Sequence, residues 1–90
     1  MALLHIYAKV SPPEWTQFVL SELDQRLATE IKADVSLAAG GINIVVAVDS
    51  AESSQRAVDV VHDTAQAILV DFNDRPMQTN LTRLRIAIRL

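Results

Sequence analysis

Few side chains in this 90-residue chain are of types that do chemistry at neutral pH. His5 and His62 are its only histidines, the residue type that most readily exchanges protons there. Acid–base or nucleophilic catalysis also needs a partner that orients the histidine, and no third residue completes a triad by spacing. His62 sits beside Asp59 and Asp63 and reads as a helix-surface residue. His5 alternates with Tyr7 and Lys9, and Arg83, Arg85 and Arg89 follow the same period of two near the C-terminus. Arginine's planar fork pairs bidentately with carboxylate or phosphate, so this row suits an acidic protein surface, a small anion or a nucleic-acid backbone. The run Asp71-Phe72-Asn73-Asp74 has the look of a calcium-loop start. Arg75-Pro76 follows where such a loop needs a ligand and a glycine, so a helix C-terminal turn is expected instead. The chain has no cysteine, which excludes disulfides, thiolate zinc sites and thiol nucleophiles. Gly40-Gly41 precedes a strand-like run and not a helix, so it is no phosphate loop. No metal or cofactor is expected.

The elements that position these residues follow from hydrophobic periodicity. Leu4, Ile6, Ala8 and Val10 alternate with Leu3, His5, Tyr7 and Lys9, which predicts a strand over 3–10. Ser11, Pro12 and Glu14 form a helix start with an S-x-x-E capping box. Trp15, Val19, Leu23 and Leu27 then give an apolar stripe ending near 29–31. Residues 33–38 alternate weakly, and after Gly40-Gly41 comes the β-branched run Ile42–Val48, a hairpin signal with an edge strand and a central strand. Asp49 or Ser50 caps a second helix, with Glu52 completing a box to Asp49. Its buried stripe is Ala57, Val58, Val61, Ala65, Ile68, Leu69 and Phe72, and Asn73 and Pro76 mark its end. A loop over 75–80 leads to a last strand, in which Leu84, Ile86, Ile88 and Leu90 alternate with Arg83, Arg85, Ala87 and Arg89.

The order β-α-β-β-α-β predicts one α+β domain over 1–90. It is ferredoxin-like, with an antiparallel four-stranded sheet and two helices on one face. Strands one and three would be central and the last strand an edge beside strand one. A longer first helix without the hairpin, β-α-β-α-β, is the alternative. One group of RNA-binding domains shares the first topology, but it stacks bases on aromatics of the two central strands, and here only Tyr7 stands there. The opening ALLHIY resembles the first strand of tautomerases, whose catalytic base is an N-terminal proline. Ala2 occupies that position, so the resemblance implies a strand and no activity.

Half of the residues are hydrophobic, enough for a modest single core. No signal peptide or membrane-spanning run is expected, and the default is a cytoplasmic protein. The net charge of -3 disfavours generic nucleic-acid binding. That charge is unevenly spread: residues 75–90 carry four arginines and no acid, while residues 1–74 carry eleven acids against four basic residues, a net of -7.

The expected function is thus a small non-catalytic binding or interaction module, homodimeric or bound to a protein partner. His5, Tyr7, Lys9, Arg83, Arg85 and Arg89 are its binding candidates. Val45, Val60, Ala67 and Val70 are its interface candidates, chosen because they look like an apolar surplus on the open sheet face and on the outer side of helix two. The rival readings are an anion- or RNA-binding module using the arginine face, and a small enzyme with a site near His5, Tyr7 and Arg85. One consequence is direct. Removing residues 84–90 deletes the last core-facing strand, and cooperative urea unfolding should be lost; an unchanged unfolding midpoint would contradict the strand assignment.

Overall fold

A computed structural model describes residues 2–74 and 84–89. Strand β1 (Ala2–Ser11) leads through a 3₁₀ turn (Pro13–Trp15) into helix α1 (Thr16–Leu27). Strands β2 (Ala33–Ala38) and β3 (Gly41–Val48) form a hairpin. Helix α2 (Ala51–Asn73) and strand β4 (Arg85–Arg89) complete the order. The sheet order is β2-β3-β1-β4, with every neighbouring pair antiparallel. The protein is therefore α+β, with a four-stranded antiparallel sheet and two α-helices. Residues 33–38 are strand, so the reading with a longer first helix and no hairpin does not hold.

Alternation decides which face is core. Ile6, Ala8 and Val10 of β1 and Ile42, Ile44, Val46 and Val48 of β3 are buried against Val19, Leu23 and Leu27 of α1 and Ala57, Val61, Ile68 and Phe72 of α2. Full burial of an aliphatic side chain of this size contributes about 1.5–3 kcal/mol, so this layer is the main source of stability. Leu84 is buried just before β4, while Ile86 and Ile88 are half-buried because the strand lies at the sheet edge. Arg83, Leu90 and the expected 75–80 loop lie outside the described residues.

Local signals at the helix starts fare differently. Ser50 caps α2, but the box closes with Ser53 and not Glu52: Ser53 N–H donates to Ser50 Oγ at 3.0 Å, and Ser50 N–H to Ser53 Oγ at 3.0 Å. The box expected at Ser11 and Glu14 does not form. Ser11 is still in β1, paired with Arg85 of β4, and Pro12 precedes the 3₁₀ turn with no side-chain cap. Strand pairing has claimed the residue that the local motif assigned to the helix. Trp15 consequently lies before α1, half-buried in an aromatic cluster. Its ring centroid is 4.7 Å from that of Phe72 and 6.2 Å from that of Phe18.

The re-entry of the chain into the sheet depends on Asn73, the last residue of α2. Its side-chain amide donates to the Leu84 carbonyl at 3.2 Å, and the Leu84 N–H donates to Asn73 Oδ1 at 3.1 Å. One side chain thus satisfies both backbone groups of the residue that immediately precedes β4. The Asp71–Asp74 run is correspondingly occupied, since Asp71 also binds Arg26 of α1 at 2.8 Å. Asn73→Ala should lower the unfolding free energy by about 2 kcal/mol, because it leaves a donor and an acceptor unpaired. A loss below about 0.5 kcal/mol in urea titration, the range of ordinary surface substitutions, would remove that role.

Candidate functional site

The face of the sheet opposite the helices is the largest surface built from the binding candidates. Its side chains fall into rows across the strands. Leu3 stands opposite Ala47, and His5 opposite Val45, which pairs in turn with Asp34. Tyr7 lies between Asn43 and Arg89, with Ser36 beyond Asn43. Lys9 lies between Gly41 and Ala87, and Ser11 opposite Arg85. His5, Lys9, Arg85 and Arg89 are exposed and Tyr7 is half-buried. The register therefore brings Tyr7, Lys9 and Arg89 together. It does not bring Arg85 to His5: six residues of β1 separate them, roughly 20 Å at about 3.3 Å per residue.

Tyr7 is held by the fold. Gly40 has a φ of +77°, and the two-residue Ala39-Gly40 turn presents the Ala39 carbonyl to the Tyr7 hydroxyl, which donates to it at 2.9 Å. The ring crosses Gly41 so closely that a Cβ there would run into the Ala8 carbonyl oxygen and lie 2.8 Å from Tyr7 Oη. Glycine at position 41 is what lets an aromatic on β1 pin the β2–β3 turn. The glycine pair was legible as a turn, but its second member serves this close approach.

At the other end of the face, Leu3, Val45 and Ala47 meet Ile31, Lys32 and Asp34 around an open groove of about 470 Å³. Leu3 is 60% exposed, one of three large apolar side chains so uncovered among the described residues, with Leu37 and Val70. Asp34 is the only acid in any described strand. The other ten of the eleven acids belong to the helices, their caps and adjoining turns. The molecule is thus electrically polarised, with a basic sheet face and an acidic helical side.

Of the residues expected to form an apolar patch on the outer side of α2, Ala67 and Val70 are exposed and lie one turn apart. Val60 is half-buried and packs against the core. Thr64, Ala67 and Asp71 follow it at helical spacing, and this stripe faces α1. Thr64 and Ala67 line a crevice with Gln25 and Arg26 of α1 and with Thr29 and Glu30 of the turn after it, and Asp71 bonds Arg26. Val70 is exposed on α2, and Val45 is half-buried on the open sheet face, so the candidates occupy the two surfaces expected of them.

Arg26 ties the helices together. Its guanidinium donates to Asp71 Oδ2 at 2.8 Å and to Glu22 Oε1 at 3.1 Å. The hydrogen bond to Asp71, with Glu22 adding, raises its pKa against the opposing effect of burial. A raised value in the folded state means this contribution is fully present below the ordinary guanidinium pKa, so it introduces no alkaline sensitivity in the usual working range. With its partners part-exposed, the pair contributes about 0.5 kcal/mol. His62 is exposed, with Asp63 at 3.9 Å, and has no other carboxylate partner among the described residues. Among these residues no group of three or more His, Asp or Glu converges as a metal site requires, and no helix is long and apolar enough to cross a membrane.

No model of a known protein family matches the chain, and no curated protein or solved structure does either. The geometry of the open face therefore carries the functional reading alone. Gly41→Ala should cost about 3 kcal/mol by forcing backbone and ring apart, whereas Tyr7→Phe, which removes only one exposed hydrogen bond, should cost about 1 kcal/mol or less. Guanidinium unfolding that finds Gly41→Ala harmless would show that the ring does not cross the glycine.

Proposed function

We propose that this chain is a small interaction module without catalysis, acting through the open face of its sheet and associating with itself or with a partner of acidic surface. The strand order and the paired helices support reading it as ferredoxin-like in the full β-α-β-β-α-β sense. The observation that carries the functional proposal is the composition of the uncovered face. Exposed Leu3 and Ala47 pair across β1 and β3, with half-buried Val45 next along β3, at one end of the face, and Lys9, Arg89 and Arg85 form a basic strip toward the other end. An apolar floor flanked by charge is the make-up of an interaction surface. The non-catalytic part rests on the isolation of His5, whose cross-strand neighbour is Val45 and which stands roughly 20 Å along the strand from Arg85.

Nucleic acid is the weaker occupant. The strip would neutralise only a few phosphates, and Tyr7, the one aromatic on the face, already has its hydroxyl bound to Ala39 and its ring over Gly41. A ¹⁵N-labelled sample tests the proposal by three titrations: increasing protein concentration, poly-L-glutamate as an acidic surface, and single-stranded RNA. Amides of Leu3, Val45, Ala47, Lys9 and Arg89 should shift in the first or second at moderate salt, and RNA should act only at low salt. Silence of the sheet face in all three, or shifts confined to α1 and α2, would overturn it.

A further inference from the structure

We infer that the occupant of the open face is a second copy of this chain, docked sheet against sheet about a two-fold axis that runs along the strands, with Arg89 of each copy paired to Asp34 of the other. This rests on the reading that the open face is the binding surface and goes further by naming the partner and its orientation.

Charge selects the orientation. An axis along the strands lays β4 over the partner's β2 and β1 over its β3. Arg89 then stands above Ser36 of the partner subunit, because Arg89 and Ser36 occupy one row at opposite edges of the sheet. The partner's Asp34 is the next same-face position along that strand, roughly 7 Å away, and facing sheets pack about 10 Å apart. An arginine side chain spans that offset, and the pair forms twice by symmetry. The same axis lays Leu3 over Ala47 of the partner subunit and His5 over the partner's Val45, burying the exposed leucine.

The other self-associations fare worse. An axis across the strands sets β4 over β4 and β2 over β2, stacking arginine on arginine and Asp34 on Asp34. Edge-to-edge pairing of β4 meets a different obstacle. The strand reads Arg85-Ile86-Ala87-Ile88-Arg89, the same in both directions, so pairing it antiparallel about Ala87 sets Arg85 directly opposite an Arg89. Like charges directly opposed destabilise such a pair. Sheet-on-helix stacking satisfies the charges but is heterologous, and such a contact leads to rings or open chains.

Size fits as well. Four strands about 4.8 Å apart and about seven residues long present on the order of 500 Å² per copy, about 1,000 Å² for the pair. That is near the lower limit for a specific interface, the size of a weak or transient dimer.

Sedimentation equilibrium over a concentration series tests the inference with four proteins: the native chain, Arg89→Glu, Asp34→Arg and the double variant. Both positions are exposed, and equal urea midpoints verify the folds; Arg89→Gln replaces Arg89→Glu if the latter unfolds. The native chain should be a monomer–dimer system. Each single variant should raise the dissociation constant at least about tenfold, and the double variant should return it to within about threefold of native. A native chain that stays monomeric, a double variant as weak as the singles, or a ladder of trimers and higher species would each overturn it. If the chain is monomeric while poly-L-glutamate still shifts the sheet-face amides, the binding face stands and the self-docking falls.

Discussion

The constraint on which the rest of the structure depends is the period-two alternation of β1 with pairing on both of its sides. β1 hydrogen-bonds to β3 along most of its length and to β4 over its second half. A one-residue slip of β1 against β3 would turn Ile6, Ala8 and Val10 out of the core and His5, Tyr7 and Lys9 into it, and a slip of β4 against β1 would do the same to Ile86 and Ile88 and its arginines. No such slip is affordable for a domain of this size, so the register is fixed by burial. Everything else on the open face follows from it: Tyr7 over Gly41, Arg89 beside Tyr7, Arg85 beside Ser11.

The same constraint separates the charges. Residues that face away from the helices on β1 and β4 include Lys9, Arg85 and Arg89 and no acid, whereas the helices that cover the other face, with their caps and turns, carry nearly all of the acids. A sequence asymmetry between the C-terminal stretch and the remainder therefore becomes a spatial one between two sides of the molecule. An interaction module with a basic, partly apolar sheet face is the functional form that this arrangement supports. The lone Asp34 at the far edge from Arg89 gives the face a polarity of its own.

Much of this was legible because alternation and turn residues are local signals that agree with the fold. The β2–β3 hairpin was readable from Gly40-Gly41 before a β-branched run, and the buried stripe of α2 from its spacing. Where local and long-range demands compete, the sequence misleads. Ser11 and Glu14 have the pattern of a capping box, yet pairing with Arg85 keeps Ser11 in the strand. Val60 reads as outward on a helical wheel, yet it is half-buried and packs against the core. The roles of Asn73 and Gly41 had no sequence signal, since each depends on a backbone group brought near by the fold. The alternation that gathered His5, Tyr7 and Arg85 onto one face held, but periodicity carries no register, so their separation along the strands was not readable.

The register between β1 and β4 is thus the central claim, and cross-strand nuclear Overhauser contacts between their backbone protons measure it most directly. The account requires contacts that place Tyr7 opposite Arg89 and Lys9 opposite Ala87. Contacts placing Tyr7 opposite Ala87, a two-residue shift that keeps every face but moves Arg89 off its row, would contradict it.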